Sequence, residues 1–212
     1  MIQVCDPPRA RQVRRLSAEE FCSLVSNEVS CTYRPRSEVL RMLAVGEVWG
    51  VGTARNAPGA GCILLPMDAD TAAAAELRRF LGWNRASGGY FLTPVAGPDS
   101  HVPEMLAPLT AAAAARQQFL ARGKARWAIV ECTAEETIPL YLQQGFALRA
   151  IRPLGSLAPC FWLQAGCLPA NTPPVWVPLA DRLHLALLLA KGYAALESRE
   201  TPQGTALALY PV

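Results

Sequence analysis

Charge is scarce in this chain. Of its 212 residues only 17% are Asp, Glu, Lys or Arg, and the formal net charge is +3. So mild an excess excludes the basic footprint of a nucleic-acid-binding protein. Disorder is excluded too, because 51% of the residues are apolar and a sizeable core can form. Histidine is limited to two residues. Cysteine is less rare, yet Cys5, Cys22, Cys31, Cys62, Cys132, Cys160 and Cys167 are odd in number, include no C-x-x-C and match no zinc spacing. Several of these thiols sit inside apolar runs as small hydrophobes, and a reducing cytoplasm is the expected compartment. The densest apolar helix pattern, Leu183–Ala190, falls far short of the roughly 20 residues of a membrane span. The stretch Met1–Arg15 carries no apolar core after its charges, so no signal peptide is expected.

The chain does carry regular strand and helix patterns. Gln12–Leu16 reads as a short strand. Ser17 then offers an N-cap, and Glu20 three residues on completes a capping box for a helix Ala18–Val29 with the stripe Phe21, Leu24, Val25 and Val29. Ser37 caps a short helix, Glu38–Leu43. Val45–Arg55 and Gly61–Met67 form a hairpin about the turn residues Asn56-Ala57-Pro58-Gly59-Ala60. An Ala-rich helix, Thr71–Leu81, precedes a strand Tyr90–Ala96, and a long helix, Pro103–Ala121, stops at Gly123. Ala125–Cys132 is a strand. Thr133 and Glu136 make a second capping box that opens a helix bearing Tyr141, and Gly145 ends it before strands Phe146–Leu154 and Pro159–Gln164. This order predicts an α+β fold in three layers: a mixed, mostly antiparallel central sheet with helices on both faces.

Cys167–Pro174 is a Pro-rich joint. Beyond it lie a strand Val175–Leu179, a helix Asp181–Lys191 and a hairpin of Tyr193–Arg199 and Thr205–Tyr210. Residues 1–166 are thus expected to form one domain, and 167–212 a β-α-β-β extension packing on or continuing its sheet. The extension is similar to the unit before it. Gly145-Phe146-Ala147 aligns with Gly192-Tyr193-Ala194, an offset of 192 − 145 = 47, which sets Leu188 against Tyr141. Any β-α-β-β unit shares such a pattern, so a repeat and a chance likeness both stay open.

The segment Ile138-Pro139-Leu140-Tyr141-Leu142-Gln143-Gln144-Gly145-Phe146 resembles the "A-x-x-L-Y-x-x-x-G-F" segment of the GCN5-related N-acetyltransferases. The element order over residues 12–166 is similar to theirs, with Thr71–Leu81 as an extra helix. Tyr90–Pro98 resembles the family's fourth strand, which ends "L-x-V-x-P", with Pro94 and Ala96 on its alternating positions. The resemblance implies acetyl-coenzyme A as co-substrate, no metal, and a small-molecule or peptide amine as acceptor. It implies no nucleic acid and no membrane, and it allows a homodimer. Tyr141 would stand over the thioester sulfur and protonate the departing thiolate, while the backbone of Pro94, Val95 and Ala96 would hold the pantetheine arm. Pro139 reads as a helix-interior proline, at a cost of about 3 kcal/mol in an ordinary helix. The family often carries proline there, and a kink near the tyrosine is expected.

The family's pyrophosphate loop is "R-G-x-G-x-G/A" or "Q-x-x-G-x-G/A". This chain has His101-Val102-Pro103-Glu104-Met105-Leu106. Glycine there lets the backbone approach the phosphates, and Val102, Glu104 and Leu106 withhold that freedom. Glu104 adds a negative charge, and Pro103 removes a donor that a first helical turn can spare. His101, Val102, Pro103, Glu104 and Met105 are the cofactor-binding candidates on this resemblance, with the helix dipole as the partner of the anion. Asparagine often stands seven residues before the family's tyrosine, where this chain has Ala134.

Glu131 and Glu47 are candidate general bases, Glu131 the better placed at the end of the strand before the tyrosine helix. Trp49, Tyr33 and Trp83 could line an acceptor pocket, although core or surface roles are commoner for each. Cys132 reads as a buried thiol and His184 as a packed or rim residue. Arg9, Arg11, Arg14 and Arg15 form a basic arm. The expected activity is acetyl transfer from acetyl-coenzyme A to a primary amine. The amine attacks directly with Glu131 or water as base, and a backbone N–H near Ala96 polarises the carbonyl. The alternatives are a non-catalytic binding or dimerisation module that has lost coenzyme A, and an acyltransferase with a carrier-bound donor.

Overall fold

The computed structural model of the protein describes residues 13–26, 35–52, 58–81, 89–93, 108–109, 111–112, 115–116, 128–132, 135–154, 158–165 and 171–212. The strands are β1 (Val13–Arg15), β2 (Glu47–Gly52), β3 (Pro58–Pro66), β4 (Tyr90–Leu92), β5 (Ala128–Cys132), β6 (Phe146–Leu154), β7 (Ala158–Ala165), β8 (Val175–Pro178), β9 (Tyr193–Thr201) and β10 (Gly204–Pro211). The helices are α1 (Ala18–Ser26), α2 (Arg36–Val45), α3 (Ala72–Leu81), α4 (Ile138–Gln143) and α5 (Arg182–Ala190), with further helical backbone at 108–109, 111–112 and 115–116. The strands form one sheet in the order β1-β2-β3-β4-β5-β7-β6-β9-β10-β8, antiparallel throughout except for the parallel neighbours β4 and β5.

Helices cover both faces, and the period of two along each strand sorts the core accordingly. Ile63, Leu65, Phe91 and Trp162 pack with Phe21 of α1, Val39 and Met42 of α2, and Ala73, Ala74 and Leu77 of α3. Their alternates Cys62, Leu64, Leu92, Phe161 and Leu163 pack with Leu109, with Ile138, Tyr141 and Leu142 of α4, and with Leu185 and Leu189 of α5. The last two residues belong to the C-terminal extension, which therefore shares its core with the tyrosine helix. Among the described residues no helix is long and apolar enough to cross a membrane.

The local signals act much as read. Ser17 Oγ accepts from Glu20 N–H at 3.1 Å and Glu20 Oε2 accepts from Ser17 N–H at 2.8 Å, a complete capping box on α1. Thr71 Oγ1 accepts from Ala74 N–H at 3.2 Å, and buried Glu38 reaches across from α2 to accept from Ala73 N–H at 3.0 Å. That carboxylate satisfies a helix-terminal donor and welcomes the positive end of the α3 dipole.

Some readings need correction. α2 begins at Arg36 after Pro35, and its first turn has no side-chain cap, so Ser37 lies inside the helix. Proline's fixed φ, here −55°, already starts the helix. β3 starts at Pro58, inside the expected turn, because the chain re-pairs at Gly52↔Pro58 through an irregularity in the ladder. Pro139 is not a helix-interior proline. A 3₁₀ turn, Glu135–Thr137, precedes α4, which puts Pro139 at its second position. A backbone N–H there has no intrahelical partner, so neither the cost nor the kink applies.

Candidate functional site

The parallel ladder between β4 and β5 is three pairs long: Tyr90↔Ala128, Phe91↔Ile129 and Leu92↔Val130. After Leu92 the two strands hold to different neighbours. Thr93 N–H donates to Ile63 O at 3.0 Å and its Oγ1 accepts from Ile63 N–H at 2.9 Å, which ties the end of β4 to β3. β5 runs on along β7, with Glu131 opposite Trp162 and Cys132 opposite Phe161. Among the described residues, Glu131 and Cys132 have no partner on the β4 side. Among the described residues the β4–β5 ladder thus ends at Leu92↔Val130, between two strands whose carboxyl ends point the same way, a place in an α/β sheet where a ligand can lie.

Tyr141 is carried by α4, which follows β5. Its side chain is 1% exposed and shares a core with Leu92, Leu109, Ile138 and Leu142. Its ring meets Phe146 edge-on, with centroids 5.8 Å apart and planes at 81°. Such an edge-to-face pair adds about 1 kcal/mol beyond burial and fixes the plane of the phenol. Gly145, at φ +82°, makes the left-handed turn that allows Phe146 to fold back beneath the helix.

Glu47 stands at the start of β2 in the row Glu47–Leu64–Leu92, the row in which the β4–β5 ladder ends. Its carboxylate accepts from Arg116 Nε at 2.9 Å and Nη2 at 2.8 Å, and Arg15 Nη2 lies 3.1 Å away. The Arg116 hydrogen bonds hold its carboxyl below the usual carboxylate range; partial burial opposes this and the charges of Arg15 and Arg116 add to it. A carboxylate so held accepts a proton less readily than a free one, and the two arginines make Glu47 an electrostatic anchor. Nearby Tyr90 has its phenol pushed up by burial first and by Asp68 and Glu47 next, against the opposing charge of Arg116. Neither Arg116 nor Tyr90 stands out in the sequence, because their partners are remote along the chain.

Glu131 lies on β5 as expected and its backbone faces Trp162 on β7. Pro94, Val95, Ala96, His101, Val102, Pro103, Glu104 and Met105 lie outside the described residues, as do Tyr33, Trp83 and Thr133. Trp49 is on β2, partly buried against the core that holds Tyr141. His184 is exposed at the start of α5, 3.8 Å from Asp181. Within the basic arm, Arg14 pairs with Glu20 at 2.6 Å and Arg15 shares Glu47 with Arg116. Among the described residues no three His, Cys, Asp or Glu side chains converge as a metal site requires.

No family model matches the chain, and no curated protein matches it. Solved structures do match. An agmatine N-acetyltransferase mutant has a TM-score of 0.50 at 12% identity, covering 72% of this chain and 98% of its own. FeeM, an N-acyl amino acid synthase from uncultured soil microbes, gives 0.49 at 12% identity, covering 85% and 99%. Naa20 of Chaetomium thermophilum, in complex with a bisubstrate analogue, gives 0.49 at 10% identity, covering 73% and 85%. At such identities the likeness is one of fold, and the first of these carries it: the chain has the fold of the GCN5-related N-acetyltransferases.

Proposed function

We propose that this protein is an N-acyltransferase that moves an acetyl group from acetyl-coenzyme A to a primary amine. The observation that supports this reading is the parallel β4–β5 pair, whose described ladder ends at Leu92↔Val130, with Tyr141 on the helix that follows β5. A pantetheine arm is an extended chain of amides and would lie between the two strands beyond that point, where the backbone around Pro94, Val95 and Ala96 would complete its hydrogen bonds. The segment His101–Met105 would take the pyrophosphate.

In the proposed reaction the amine nitrogen forms a bond to the thioester carbonyl carbon and the carbon–sulfur bond breaks. The ammonium proton passes to Glu131 or to water, and the Tyr141 hydroxyl gives its proton to the thiolate. A strand backbone N–H polarises the carbonyl. Residues 1–166 form the acyl-transfer unit in this reading and 167–212 an extension of it. A reducing cytoplasm is its compartment in this reading, in keeping with the unbridged thiol of Cys62 in the core.

A second reading draws on the burial of Tyr141, which at 1% exposure is also what a purely structural phenol would have. In that reading the chain is a binding module without catalysis. Titration calorimetry with acetyl-coenzyme A and with free coenzyme A separates the two. Micromolar binding followed by amine-dependent thiol release supports the enzyme. Absence of binding at millimolar ligand, together with no turnover of a carrier-bound acyl thioester, overturns it; turnover of the carrier thioester alone would change the donor and keep the chemistry.

A further inference from the structure

The C-terminal extension repeats the unit that bears Tyr141, element by element. Ala128 opens β5 and Val175 opens β8 (175 − 128 = 47). The 3₁₀ turn and α4 together span Glu135–Gln143, and α5 spans Arg182–Ala190 (182 − 135 = 47). β6 spans Phe146–Leu154 and β9 spans Tyr193–Thr201 (193 − 146 = 47). The positive-φ glycines Gly145 and Gly192, at +82° and +89°, hold matching places. Even the irregularities match. Arg149 is skipped in the β6–β7 ladder between Leu148↔Leu163 and Ala150↔Trp162, and Leu196 is skipped in the β9–β10 ladder between Ala195↔Leu209 and Glu197↔Ala208. A bulge is a feature of one specific strand geometry, and its recurrence at the matched residue distinguishes a repeat from a chance β-α-β-β pattern.

The two units are also arranged as partners. Their strands run β5-β7-β6 and then β9-β10-β8, the same order read from opposite ends. β6 meets β9 antiparallel at Leu148↔Ala195, which are themselves matched residues (195 − 148 = 47). Glu135 and Arg182, again matched, form an ion pair at 2.6 Å. Equivalent strands that pair antiparallel at equivalent residues are related by a twofold axis, the geometry of an isologous dimer. The bulges beside that axis twist each strand away from the other, which accounts for the short ladder.

The second unit keeps the fold and drops the reactive groups: Leu188 stands for Tyr141 and Pro178 for Glu131. Its outer strand is closed to further pairing. Leu179 N–H donates to Thr205 O, so by alternation Val175 and Val177 turn toward β10 and Trp176 and Pro178 turn outward. With Pro174 before them, the outer edge offers the single donor Trp176 N–H between two prolines, a blunted edge. In the first unit the matching edge of β5 takes β4. At the other end of the sheet, β1 is three residues long and carries Arg14 and Arg15.

We propose that residues 175–212 are an in-chain second subunit: they occupy, about a local twofold axis, the β6 edge that a second copy of this chain would otherwise take, and the protein works as a monomer. The homodimer allowed by the sequence is on this reading built into one chain. The inference does not rest on acyl transfer, and its test does not read activity. Sedimentation of the full chain across a wide concentration range should give the mass of one chain, 22.9 kDa; a two-chain species overturns the proposal. Hydrogen exchange of the same protein should protect the amides of β6 and β9 as one unit, since they share a ladder and a core; extension amides that exchange independently of β6 overturn it as well. Ala195→Arg puts a charge at the buried axis position and should unseat the extension, so that freed β6 edges pair and the mass doubles. A variant that remains a monomer with protected β9 amides contradicts the assigned role of Ala195.

Discussion

Glu47 and Arg116 are 69 residues apart in sequence and are joined by three hydrogen bonds, at 2.8, 2.9 and 3.3 Å. The pair pins the helical backbone at 115–116 to the first residue of β2. The Arg116 hydrogen bonds, ahead of the other causes, hold the Glu47 carboxyl below its ordinary range. A carboxylate with a depressed folded pKa stabilises the fold above its unfolded value, and that contribution is lost as pH falls through the folded one. Glu47→Gln should therefore cost about 1 kcal/mol at neutral pH, and its deficit against the parent protein should shrink at acid pH, once the pH falls below the ordinary carboxylate range. Denaturant melts at the two pH values check this. An equal deficit at both would mean that packing, not charge, holds Glu47.

Tyr141 separates chemistry from packing by choice of substitution. The ring is buried against Phe146, so Tyr141→Ala should cost about 3–5 kcal/mol of stability through the cavity it leaves. Tyr141→Phe keeps the ring and removes the hydroxyl. It should leave coenzyme A affinity unchanged and lower kcat by roughly 10²–10⁴-fold if the phenol is the proton donor. Steady-state turnover with calorimetric affinity checks both, and unchanged kcat removes Tyr141 from the reaction.

Cys62 illustrates what burial does to a thiol. It lies in β3 at 0% exposure, and burial pushes its pKa from 9.0 to about 12. A thiolate is the reactive form, so Cys62 should stay unmodified by a thiol reagent in the native protein and react on unfolding. The raised folded value gives stability that is full below pH 9.0 and declines as pH rises toward about 12. Cys62→Ala should flatten that alkaline decline. Rapid native-state labelling of Cys62, read by mass spectrometry, contradicts the closed core.

Much of this architecture is legible in the sequence because its signals are local. The capping box of Ser17 and Glu20 needs only three residues of spacing, and the strand Phe146–Leu154 is bounded by a glycine stop and by its own apolar pattern. Pro139 was misleading because its meaning depends on where the helix starts, and the 3₁₀ turn at Glu135–Thr137 moves that start. Glu47 reads as a free carboxylate only while Arg116 and Arg15 are unknown as its partners. The repeat is faint in side chains, with Tyr141 against Leu188, but plain in backbone: the matched bulges at Arg149 and Leu196 come from strand geometry that no residue type announces.

Gly145 and Gly192 give the repeat an energetic test. Both follow a helix and open a strand at positive φ, +82° and +89°, a conformation that L side chains adopt at a cost of about 1 kcal/mol. A Cβ built on either glycine meets nothing within 4 Å, so strain is the whole of the expected penalty. Gly145→Ala and Gly192→Ala should each cost about 1 kcal/mol in equilibrium melts, with similar values because the two turns are alike. Matched turns in one shared core should also unfold together, so each variant should shift a single transition and leave its steepness unchanged. A biphasic melt for Gly192→Ala, with an early phase confined to the extension, would show that the second unit has a stability of its own. That outcome would argue against a single core running from α4 through β9.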